Sequence, residues 1–179
     1  MPSIDSFAAT HQDLVAMLSG VGQITTVNKA TSQSMSTATV TPVNWDFKRQ
    51  DDGGWFTLGA STGNYIQVPT AGIYSVTIQI SWVTAADTNT AHTYSHHLQV
   101  NGTTDSFQSD GNVIAAKEVK IKKWDLANDM HWEGKLNAGD KLTVFVYQDT
   151  GASLGFGGWN RPATESANCE FSVRRVWNA

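Results

Sequence analysis

The segment VPTAGIYSVTIQISW, Val68 to Trp82, constrains the fold more than any other stretch of this 179-residue chain. Tyr74, Val76, Ile78, Ile80 and Trp82 alternate with Ser75, Thr77, Gln79 and Ser81. A period of two puts the large apolar groups on one face of a pleated strand and the hydroxyls and amide on the other. Pro69 and Gly72 ahead of it redirect the chain. One apolar strand face is stable only against a second layer, so the rest of the chain must supply that layer.

The length suits one packed domain with a short appendage and is too small for two ordinary domains. Charged residues are 16% and apolar residues 40%, with 15 Gly and abundant Ser and Thr. That composition belongs to strands and turns, so the expected class is all-β. A net charge of −4 excludes phosphate-backbone binding as the main activity. The basic run KEVKIKK, Lys117 to Lys123, reads as a strand with a solvated Lys face. One cysteine, Cys169, excludes an internal disulfide or a Cys-rich metal site, and its strand-like setting CEFSV predicts burial.

Ile4, Phe7, His11, Leu14, Val15 and Leu18 recur at three- and four-residue steps between a capping Ser3 and a terminating Gly20. Residues 1–22 are therefore expected as one amphipathic helix. Helices this short are marginal alone, so its stripe, with Phe7, Leu14 and Leu18, must dock on something and is expected to be an anchor. Asp5, His11 and Asp13 stand where a signal peptide would be apolar, which predicts folding in a cytoplasm. No apolar run approaches the ~20 residues of a membrane span. From Thr25 to Thr41, nine of seventeen residues are Ser or Thr, and 23–42 is expected as a linker or extended arm.

From Val43 to the C-terminus, strand signals repeat at short intervals: VNWDF, GWFTLG, YIQVP, HTYSHHLQVNGTT, KEVKIKKWDL, KLTVFVYQDT and CEFSVRRVW. DDGG, STG, NG, NAGD and GFGG punctuate them, which means a sandwich or jelly roll over 43–179. In KLTVFVY, Leu142, Val144 and Val146 share one side while Phe145 and Tyr147 share the other. A second apolar face on an antiparallel strand predicts contact with another subunit. In TYSHHLQV, His96 points with Tyr94, Leu98 and Val100.

The ordered set W-x-F-K, YIQVPTAGIYSVTIQISW, HLQVNGT, LNAGDKLTVFVYQDTG and CEFSVRRV resembles the globular C1q/TNF-like domain. Tyr65, Val68, Pro69, Gly72 and Tyr74 stand at its first motif, and Asn101 and Gly102 at its hairpin. Leu136, Gly139, Asp140 and Leu142 stand at its third motif, and Phe171 on its closing strand. The resemblance covers roughly 43–176. It implies a ten-strand antiparallel jelly roll that forms a homotrimer, with His96, Phe145 and Tyr147 at the threefold interface. The closing strand ends SVRRVWNA instead of F-x-G-x-L, and no collagen-like stalk precedes the domain. With the helix and the Ser/Thr-rich arm, the chain also resembles a tailed-phage virion protein borrowing this fold, a minor tail, fibre or head-decoration protein. That implies attachment to other virion proteins through the N-terminal segment, and an outward jelly roll for host-surface glycan binding. A soluble C1q/TNF-like ligand or lectin is the alternative, and a glycan-processing enzyme on the same scaffold is the second.

Few residues suggest chemistry. In WDLANDMHWEG, Asp125, Asp129, His131 and Glu133 crowd together without any metal-ligand spacing, so a solvated loop with two anchoring tryptophans is expected and no metal is assigned. His92, His96 and His97 cannot share an ion, because neighbouring strand residues face opposite ways. DDGG and the acidic loops near Asp87, Asp105 and Asp110 do not fit an EF-hand and read as turns. Asn101-Gly-Thr is a hairpin signal before it is a glycosylation sequon. No nucleophile elbow or phosphate-binding glycine motif is present, so neither enzyme activity nor a cofactor is expected. The loop GASLGFGGWNRP holds Phe156, Trp159 and Arg161 on a glycine-rich frame, which suits equally a ligand-binding loop and a loop whose Phe156 and Trp159 fold back to cap the sandwich.

Overall fold

The structure, a computed structural model, describes residues 22–56, 65–83, 91–102, 113–121, 126–157 and 169–178. These form twelve strands: β1 (Ile24–Lys29), β2 (Gln33–Met35), β3 (Thr41–Pro42), β4 (Phe47–Asp51), β5 (Ile66–Gln67) and β6 (Gly72–Val83), followed by β7 (His92–Val100), β8 (Val113–Ile121), β9 (Leu126–Leu136), β10 (Lys141–Gln148), β11 (Leu154–Phe156) and β12 (Cys169–Asn178). A seven-stranded sheet runs β2-β11-β6-β12-β1-β4, with β9 also paired to β6. A five-stranded sheet runs β3-β10-β7-β8, with β5 also paired to β10.

β6, which carries the Tyr74 to Trp82 alternation, is the spine of the larger sheet. β6 pairs with β12 from Gly72 to Gln79 and with β9 from Gly72 to Trp82. Its alternation resolves as expected: Tyr74, Val76, Ile78, Ile80 and Trp82 are buried, while Thr77 is exposed. The opposing layer comes from Leu98 of β7 and from Leu142, Val144 and Val146 of β10, all fully buried. Burying each such side chain contributes about 1.5–3 kcal/mol, so this interface is the main source of stability. Trp45 leans on Phe171 at 5.6 Å and Trp82 on Tyr94 at 5.3 Å, the latter tying the two sheets together.

Residues 23–42 are not a linker. β1 lies inside the larger sheet, bonded to β12 on one side and β4 on the other, and β2 and β3 pair with β11 and β10. Val27 enters the core, and the polar residues around it are buried with partners. Thr25 Oγ1 donates to Asp51 Oδ1 at 2.7 Å, Thr26 and Ser172 share a hydroxyl pair at 3.0 Å, and Lys29 is bonded to Asp46. Ser/Thr richness leaves little apolar material for a core. A central strand needs one buried apolar residue here and satisfied hydrogen bonds elsewhere, and β-branched Thr suits it. The helix expected over 1–22, with Phe7, Leu14 and Leu18, lies outside the described residues apart from Gly22.

Candidate functional site

The three residues expected at a threefold interface do not share a surface. In the β10–β7 register Phe145 is opposite His97 and Val146 is opposite His96. His96 therefore faces the core beside Tyr94 and Leu98, with no exposure and no hydrogen-bond partner on either ring nitrogen. Burial, helped by the nearby His97 and Lys117 charges, pushes its pKa down to about 4. Phe145 and Tyr147 lie on the outer side of that sheet with His97. Phe145 is only 4% exposed and Thr143 7%, so the second apolar face of KLTVFVY is largely covered within a single chain. Tyr147 alone of the three is half-buried. Alternation sets which side chains share a face, and segments remote in sequence set what covers them.

The candidate ligand loop also changes character. Leu154–Phe156 is β11, and Phe156 is fully buried against Trp82, with ring centroids 5.9 Å apart. Phe156 is thus a core residue; Trp159 and Arg161 lie outside the described residues.

The expected solvated loop is a strand: Asp129, His131 and Glu133 are exposed on one face of β9, paired to Gln79, Thr77 and Ser75, because the backbone of this stretch completes the ladder of β6. Alternate residues on a strand stand about 7 Å apart, so this row spreads its charges instead of converging them. Among the described residues no group of three His, Cys, Asp or Glu side chains is placed to hold a metal ion. Asp51 organises its turn: it accepts from the Trp55 amide at 2.8 Å and pairs with Lys48 at 2.8 Å. Those bonds hold its carboxyl below the usual range despite the opposing cost of burial, the largest single influence. Asn101 sits at φ 54° directly after β7, donating to Asp140 Oδ1 at 2.8 Å and accepting from the Lys141 amide at 2.9 Å. Cys169 is buried beside Ser81, and burial pushes its thiol up to about 11, the opposite of a nucleophile.

A cleft of about 260 Å³ opens where the β4 turn meets the β9–β10 turn, lined by Gly53, Gly54, Trp55, Tyr65, Gln67, Val68, Pro69 and Gly139. Trp55 is pinned edge-on against Tyr74 at 5.9 Å, and its carbonyl accepts from Gln67 N at 2.8 Å. Gly139, at φ 87°, donates its amide to Val68 O at 2.8 Å and accepts from Gln67 Nε2 at 3.2 Å. Lys141 Nζ stands 4.5 Å from the centre of the Tyr65 ring. The available signal was the pairing of DDGGW with Y-x-Q-x-P, a glycine turn beside two aromatics and an amide.

This sandwich, with its strand order and buried spine, is the C1q/TNF-like jelly roll. It is similar to the Eiger TNF structure from S. frugiperda, at 16% identity, covering 89% of this chain and 94% of that one, with a TM-score of 0.55. It is similar to the globular domain of zebrafish complement 1qA at 12% identity, covering 88% and 99%, with a TM-score of 0.53. Murine APRIL, solved at pH 5.0, gives 14% identity, 86% and 98% coverage, and a TM-score of 0.57. No protein-family model matches the chain, and no curated protein matches it by sequence. At these identities the likeness is one of fold.

Proposed function

We propose that this protein is a non-enzymatic recognition module, a ligand-like C1q/TNF-type jelly roll that acts as a homotrimer. The observation that carries the reading is the likeness of fold over 86–89% of the chain. The outer face of the seven-stranded sheet supports it. Thr77, His131 and Glu133 make it polar, and at one end Trp177, 65% exposed, pairs in register with Ile73. A large exposed aromatic beside an aliphatic residue is what subunit contacts use as an anchor.

The alternative setting, attachment to a tailed-phage particle through residues 1–22, rests on the amphipathic pattern of that segment alone. Its expected arm belongs to the sandwich, so the freely acting module stands first. Light scattering on the full chain is the test: a trimeric mass that falls in Trp177→Ala is expected, and a monomer at micromolar concentration overturns the reading.

A further inference from the structure

We propose that the cleft between the Gly53–Gly54 turn and Gly139 binds one pyranose ring of a glycan. The proposal deepens the recognition-module reading and rests on it. Ligand sites are concave, largely pre-formed, and mix an apolar surface with a few placed polar groups. This cleft has each part. Its aromatic parts are Trp55, 4% exposed and clamped by Tyr74, and the half-buried ring of Tyr65.

The polar part is held in advance. Gln67 is exposed, yet its amide nitrogen is tied to the Gly139 carbonyl at 3.2 Å, which fixes the amide oxygen as a ready acceptor. The glycines matter for access. A Cβ on Gly54 would meet nothing within 4 Å, so the turn backbone is open to a close-approaching ligand. A Cβ on Gly53 would stand 2.0 Å from Trp55 Nε1, so only glycine lets the indole lie where it does. That indole nitrogen is buried without a hydrogen-bond partner, a spare donor at the back of the cleft.

The chemistry selects a sugar over other flat ligands. A pyranose offers a weakly positive C–H face to the negative face of an aromatic ring and hydroxyls to an amide and to backbone groups. Asp51, Asp52 and Asp140 near the cleft, with a net charge of −4, oppose a phosphate-bearing ligand. The Lys141 ammonium already rests over Tyr65.

The test is to titrate nitrogen-labelled full-length protein with methyl pyranosides of glucose, galactose, mannose and N-acetylglucosamine, following amide and indole resonances. At least one sugar is expected to move the Trp55 indole and Gln67 side-chain signals, with affinity falling about tenfold in Tyr65→Ala and in Gln67→Ala. Gln67→Ala is the control for folding, since its backbone bonds to β10 and Trp55 remain. The proposal is overturned if none of the sugars moves those signals, or if both variants bind like the wild type. A trimer with unmoved cleft signals discards the cleft and spares the module reading; a monomer that binds the sugar does the reverse.

Discussion

His96 and Phe145 belong to adjacent strands and lie on opposite faces of the same sheet: Phe145 is opposite His97, while His96 is opposite Val146 and fully buried. A histidine enclosed with both nitrogens unpartnered is tolerated only as the neutral form. This makes the five-stranded sheet the acid-sensitive part of the protein.

Because the folded pKa of His96, about 4, lies below the ordinary 6.5, the unfolded chain binds the proton more tightly. The contribution of His96 to stability is complete above pH 6.5 and is lost as pH falls toward 4, a total on the order of 3 kcal/mol. His97, lowered to about 4 by burial, acts in the same direction. Denaturant unfolding between pH 4 and 8 should show this limb in the wild type and a flatter one in His96→Leu. Superimposable profiles would sink the idea.

Phe156→Ala should lower the unfolding free energy by about 3–5 kcal/mol, the cost of emptying a core site, as read by urea denaturation. A loss within about 0.5 kcal/mol would mean that the ring lies at the surface.

Deleting residues 23–42 removes β1, β2 and β3 and leaves facing edges of β12 and β4 unpaired. The remaining chain is expected to lose the amide dispersion of a folded sandwich. A shortened chain with sharp, dispersed spectra would restore the linker interpretation.

Cys169 should react with a thiol reagent only as fast as the protein unfolds, since the thiol is buried and its pKa lies near 11. Adding denaturant below the transition should leave the rate low; prompt labelling of the native protein would contradict the packing of Cys169 against Ser81.

Gly139 holds φ 87° at the cleft rim, where a non-glycine residue is strained by about 1–3 kcal/mol. Gly139→Ala should therefore lower the thermal midpoint and weaken any sugar response together. Unchanged melting would show that the turn relaxes freely.

What the chain determined by itself was local. Period-two alternation from Tyr74 to Trp82 and the turn at Asp51 both follow from side-chain direction and turn chemistry within a few residues, and both stand in the folded protein. The tertiary structure decided which faces are covered. Thr25 to Lys29 became a central strand because β12 and β4 flank it, Phe156 entered the core because Trp82 receives it, and Trp55 and Tyr65 came to line one cleft because the β4 and β9–β10 turns meet. Burial is a property of partners brought together from far along the chain. Alternation shows which side chains point together, and only the packed sheets decide what they point at.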